Sequence, residues 1–103
     1  MIPETINGKK VTKKEAKFLA KLEIDDTFNG PIQNPMSGDS AVLNGLQEAI
    51  YSFIMGAQMM PWWDAFPPAQ GWSKAQLEVI TDFSTGLDMF RKYWASEYMT
   101  LLD

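Results

Sequence analysis

"DDTFNGPIQNPMSGDSAVLNGLQEA", residues 25–49, decides the fold class. Its first part is dense in turn and breaker pairs: Asn29-Gly30-Pro31, Asn34-Pro35 and Ser37-Gly38. A proline pushes the residue before it out of the α region, so Asn34 is extended. Residues 25–40 therefore read as a loop. The boundary that follows has two readings. Either Asp39 or Ser40 caps a helix that runs straight through, or Ser40 to Leu43 is a short extended piece. In the second case Asn44 is the N-cap and Gln47 its capping-box partner. On both readings the helix is secure from Leu46 to Met60, because Leu46, Ala49, Ile50, Phe53, Ile54, Ala57 and Met60 form one apolar stripe. Gly56 costs that helix about 1 kcal/mol against alanine, which points to close approach of another backbone. Pro61 ends the helix.

Upstream, Asn7-Gly8 suits a tight turn, since both residues tolerate positive φ. Ile6 and Val11 flank it as a minimal hairpin or an extended arm. Thr12 and Glu15 make a capping box, and Ala16, Phe18, Leu19 and Leu22 recur at helical spacing, which predicts a helix from Lys13 to Ile24. Downstream, Ser73 caps the last helix with Gln76 at the capping-box position. An apolar stripe then steps by three or four through Leu77, Ile80, Phe83 or Ser84, Leu87, Phe90, Tyr93 or Trp94, Tyr98 and Leu101 with no proline between, which predicts one long helix to the end. Gly86 in its middle marks a bend or a tight crossing. The expected fold is all-α: a small three-helix domain over residues 1–103, with a minimal N-terminal hairpin or extended arm and a long C-terminal helix.

Composition narrows the chemistry. The 103 residues contain no cysteine and no histidine. Disulfides, thiolate metal sites, a thiol nucleophile and the commonest general base are therefore excluded. Enzyme chemistry is not expected, nor is a cofactor or a metal. The loop from Asp25 to Met36 matches a calcium loop only at Asp25, Asn29 and Gly30, and Met36 replaces the bidentate glutamate. Glu78, Asp82 and Asp88 read as solvated acids. No apolar run is long enough for a membrane span or a secretory signal, so an intracellular setting is expected.

The net charge of −4 is divided unevenly. Residues 1–22 carry six lysines against two acids, and residues 23–103 carry three basic residues against eleven acids. The basic head is expected to fold back on the acidic body. Nucleic acid is not the expected partner: the first helix has lysines but no arginine, and the body would repel a polyanion.

The densest functional signal is "MMPWWDAFPPAQGW", residues 59–72, which holds three of the four tryptophans. Trp62, Trp63, Phe66 and Trp72, with Met59 beside them, are the candidate partner-binding residues. If the segment is extended, neighbours at 62 and 63 point to opposite sides, so one of the pair faces outward. Pro67-Pro68 stiffens the loop and lowers the ordering cost of binding. The segment is expected to be part cover for the core and part contact surface.

The stretch "NPMSGDSAVLNGLQEAIYSFIMGAQMM" and the ending "FRKYWASEYMTLLD" resemble small uncharacterised proteins of tailed bacteriophages, cyanophages included. The resemblance spans about half the chain and carries over no functional residues. It implies a place in the host cytoplasm or in the virion, and binding to a host protein as inhibitor or adaptor. The alternative it implies is a structural virion component packed against neighbouring copies. Self-association through the long last helix is a further expectation.

Overall fold

The computed structural model describes residues 2–65 and 71–102. In chain order these form β1 (Thr5–Ile6), β2 (Lys9–Lys10), α1 (Lys13–Leu19), β3 (Asn29–Gln33), β4 (Ser40–Asn44), α2 (Gly45–Gln58), α3 (Lys74–Tyr93) and α4 (Ala95–Leu101). β1 pairs with β2 and β3 with β4, both antiparallel. The domain is mixed α and β. The all-α expectation of a helical bundle with three helices is incorrect, because a second hairpin replaces the loop and the last helix is broken in two.

The β3–β4 hairpin is the larger correction. Its side chains alternate: Gly30, Ile32, Ala41 and Leu43 turn inward, while Pro31, Gln33, Ser40 and Val42 face solvent. The turn closes with the Asn34 amide donating to the Asp39 carbonyl at 2.7 Å and the Gly38 amide donating to the Asn34 carbonyl at 2.9 Å. Gly38 has φ of +79°, and the Asn34 side chain accepts from the Met36 amide at 2.9 Å. Counting back from the Asn34–Asp39 bond, Pro31 stands opposite Val42 at a pair that exchanges no hydrogen bonds. Its missing N–H therefore costs the ladder nothing, and it blunts an open edge. A residue type that argues against a strand in general is compatible with this one position.

Asn44 is the N-cap of α2, so the extended reading of Ser40 to Leu43 holds. The Asn44 side chain accepts from the Gln47 amide at 2.9 Å, and the Gln47 side chain accepts from the Asn44 amide at 2.8 Å. The same reciprocal pair forms at Thr12–Glu15 for α1 and at Ser73–Gln76 for α3. Helix α1 stops at Leu19, short of the expected Ile24. The chain tightens there into i→i+3 bonds, from the Lys21 amide to the Phe18 carbonyl and from the Leu22 amide to the Leu19 carbonyl, each 3.1 Å. It then runs past Asp25, whose carbonyl lies against the start of α2: a Cβ on Gly45 would sit 1.8 Å from that oxygen.

Phe18, Leu19, Leu43, Ile50, Ile54, Met89 and Phe90 fill the centre of the core. α2 crosses α3 at Gly86, where an added Cβ would lie 3.2 Å from Ile50 Cγ2 and 3.3 Å from Ile54 Cγ1. Close approach therefore occurs at Gly86. Gly56, expected to mark such a contact, is exposed and has nothing within 4 Å of its added Cβ.

The stripe that predicted one long helix breaks at Trp94, which has φ −138° and ψ 57°. The ring of Trp94 is buried against Phe90 at 5.2 Å and Tyr93 at 5.7 Å. The carbonyls at the end of α3 find partners on the first hairpin. Asn7 Nδ2 donates to the Tyr93 carbonyl at 2.7 Å, and Lys9 Nζ donates to the Lys92 carbonyl at 3.0 Å. Asn7 and Gly8 hold φ of 51° and 80°, the conformation of the tight turn between β1 and β2. The expected single last helix is therefore two, α3 and α4.

Below this cap, Glu15 is buried and fully engaged. It accepts from the Tyr93 hydroxyl at 2.6 Å, the Thr12 amide at 2.9 Å and Lys92 Nζ at 3.3 Å. Burial pushes the Glu15 carboxyl up, but the Tyr93 hydroxyl, the Thr12 amide and Lys92 outweigh it and hold it below its ordinary value. The folded pKa thus lies below the unfolded one. The stability it contributes is complete above the ordinary carboxylate range and is lost as pH falls through the folded value.

Two sets of substitutions test this packing by urea denaturation. Glu15→Ala is expected to cost about 1–3 kcal/mol at neutral pH, because it leaves the Tyr93 hydroxyl without its strong acceptor. Glu15→Gln keeps one oxygen for Thr12 and Tyr93 and costs less, and its deficit against wild type shrinks below about pH 4. At the glycines, Gly45→Ala should cost more than about 3 kcal/mol, and Gly56→Ala should stabilise by about 1 kcal/mol.

Candidate protein-interaction surface

The α2 helix ends in a run of turns. The Met59 and Met60 amides each donate at 3.2 Å, to the Gly56 and Ala57 carbonyls. The Trp63 amide reaches the Met60 carbonyl at 3.0 Å, and the Ala65 amide the Trp62 carbonyl at 3.1 Å. Residues 61–65 are therefore coiled in turns, which corrects the extended geometry assumed for Trp62 and Trp63. Neighbours on a turn do not point to opposite sides, and both indoles are half-buried.

Their partners differ. Trp63 lays its ring edge-on to Phe83 of α3, with centroids 4.6 Å apart. Trp62 sits between the other two indoles, 5.8 Å from Trp63 and 5.5 Å from Trp72. Trp72 is half-buried just before the Ser73 cap of α3 and follows Gly71, whose φ is +83°. Among the described residues, Phe83 packs against the main core but none of these three indoles does. They form an outlying layer joined to the body through Phe83. Trp94, by contrast, is in the core.

Just before this layer in sequence, apolar side chains are open to solvent. Met59 is 82 % exposed and Met60 43 %. Four of the five expected site residues are described: Trp62, Trp63 and Trp72 come together, and Met59 adjoins them in sequence at the end of α2. Phe66 lies outside the described residues, as do Pro67 and Pro68. Phe83 was legible only as a member of the α3 stripe, and no local signal pairs it with Trp63. Leu77, counted in the same stripe, is half-exposed, because the first turn of α3 projects an apolar side chain to solvent.

The lysine-rich head folds back in part. Lys9 caps α3, and Lys21 pairs with Glu78 at 2.6 Å and with Asp82 at 3.0 Å. That contact holds the Glu78 carboxyl below its usual range. The calcium-loop pattern dissolves into structure: Asp25 Oδ1 accepts from the Thr27 hydroxyl at 2.6 Å, and Asn29 onward is β3. Among the described residues, no group of three acids is placed to hold a metal ion, and no helix is long and apolar enough to cross a membrane. What the surface can do is bury apolar area.

No protein-family model matches the chain, and neither a curated protein nor a solved structure matches it.

The contacts assign different roles to Trp63 and Met59. Trp63→Ala should lower stability by about 2 kcal/mol, since it empties the contact with Phe83. Met59→Ser should stay within about 0.5 kcal/mol of wild type, as expected of an exposed side chain. Equal losses for the two in chemical denaturation would contradict the assignment.

Proposed function

We propose that the protein works by binding another protein, without catalysis, through Met59, Trp62, Trp63 and Trp72. One observation supports this most: three indoles lie together outside the main core, and Met59, three residues before Trp62 in sequence, is 82 % exposed. Large aromatic side chains on a tied-down turn are what strong contact points are built from. The Trp63–Phe83 contact fixes the turn before any partner arrives, so little ordering entropy is lost on binding. Covering an exposed methionine contributes about 1–3 kcal/mol by area alone.

The resemblance of residues 34–60 and 90–103 to small tailed-phage proteins supports a host protein as the partner and inhibition or adaptation as the outcome. In this reading the protein acts in the host cytoplasm. It occludes a patch on its target by burying apolar surface.

The test is affinity purification from host lysate with three baits: wild type, Met59→Asp and Trp62→Ala. One defined host protein should co-purify with wild type and be lost from both variants, while their thermal midpoints stay close to wild type. A chain that instead appears at fixed stoichiometry in purified virions, with no host protein captured, replaces this reading with a structural virion role.

A further inference from the structure

A groove of about 460 Å³ runs between α1 and α3. Lys14, Lys17 and Lys21 line one side, and Lys74, Leu77 and Glu78 line the other. Phe18, buried in the core, lies beneath. Only one of these lysines is neutralised: Lys21 holds Glu78 and Asp82 at 2.6 and 3.0 Å. Among the described residues, Lys14, Lys17 and Lys74 form no ion pair. Lys17 and Lys74 act on Glu78 only at a distance, adding to the larger effect of Lys21. The result is a strip of unpaired positive charge on a chain whose net charge is −4. An apolar side chain is open within it, because Leu77 is 50 % exposed.

We infer that this groove docks an acidic, amphipathic peptide segment of a partner protein. Carboxylates of that segment would meet Lys14, Lys17 and Lys74, and one apolar side chain would cover Leu77. The volume falls in the range of built binding sites, and the mixture of charge and exposed leucine matches a peptide with both features. A nucleic acid fits less well. The groove has no arginine, and Glu78 and Asp82 stand in it against a continuous polyanion. A peptide can set its acids opposite separate lysines and keep them away from those two carboxylates. None of the three indoles lines the groove, although Trp72 precedes the Ser73 cap of α3 in sequence. The inference rests on the reading of the chain as a binding protein, but not on the indoles.

The probe is a fluorescein-labelled peptide of about twelve residues built from Glu-Glu-Leu-Leu repeats, a length that spans a short groove. Its controls are the same peptide with glutamine for glutamate and a single-stranded DNA of similar length. Fluorescence polarisation should show saturable binding of the acidic peptide that weakens at least about tenfold in the triple variant Lys14→Gln, Lys17→Gln, Lys74→Gln. Raising salt from about 50 to about 500 mM should weaken it similarly. Trp62→Ala should leave the affinity within about twofold, because Trp62 does not line the groove and sites that share no partners act independently. Circular dichroism checks that the triple variant is folded; if it is not, the three single variants are measured. The inference is overturned by absent binding, by equal binding of the glutamine peptide, by tighter binding of the DNA, or by lysine variants that bind as wild type does. Loss of peptide binding alone, with the host partner still captured through Met59 and Trp62, removes the groove and leaves the indole surface standing.

Discussion

Close approach of α2 and α3 at Gly86 sets where everything else in this protein can go. Ile50 and Ile54 are fully buried in the space a side chain at 86 would need. Steps of three and four along α3 place Phe83, Phe90 and Tyr93 on the same side as Gly86. Phe90 fills the core there. Phe83, one turn before the crossing, receives Trp63, and Tyr93, two turns after it, receives Glu15. The helix thus has an apolar attachment point near its middle and a polar one at its C-terminal end. Shifting α3 against α2 would move both.

The two hairpins complete what the helices leave open. A two-stranded sheet is marginal alone, so β3–β4 depends on what its inner face covers. Leu43 is buried in the same core as Ile50 and Phe90, and Asn34 Nδ2 ties the hairpin turn to the Thr100 carbonyl of α4 at 3.0 Å. The first hairpin does something else. Asn7 of its turn and Lys9 of β2 donate to the Tyr93 and Lys92 carbonyls at the end of α3, where Trp94 turns out of helical geometry. A sharp break there would otherwise leave backbone acceptors unpaired beside a buried indole.

How much of this was legible follows from the range of each interaction. The capping boxes at Thr12 and Ser73 are local, and so is the Asn7-Gly8 turn; the residue types alone specify them, whereas at Asn44 they left Asp39 and Ser40 as competing caps. Strands β3 and β4 also carry a period of two, in Gly30, Ile32, Ala41 and Leu43. Glycine and two prolines hid it, because their compatibility depends on register, which a single segment does not reveal. The break at Trp94 is set by groups more than eighty residues away in sequence, such as Asn7 against Tyr93. Gly56 misled because an unfavourable glycine was assumed to have a packing reason; the packing reasons belong to Gly45 and Gly86. At the surface, composition flagged Trp62, Trp63 and Trp72 as a group. Only the folded structure shows that turn geometry lets Trp63 reach Phe83 while Trp62 lies tilted against the other two indoles.

The functional account rests on a physical contrast between Trp94, sealed at 7 % exposure, and an indole layer fastened outside the core by a ring contact with Phe83. Fluorine NMR of protein labelled with fluorotryptophan, read as the shift of each resonance between water and heavy water, measures that contrast directly. Replacing each tryptophan with phenylalanine in turn assigns the signals. The account predicts a clear solvent shift for Trp62, Trp63 and Trp72 and almost none for Trp94. Four resonances all as insensitive to solvent as Trp94 would mean that the indoles are interior cover, and the contact surface described here would not exist.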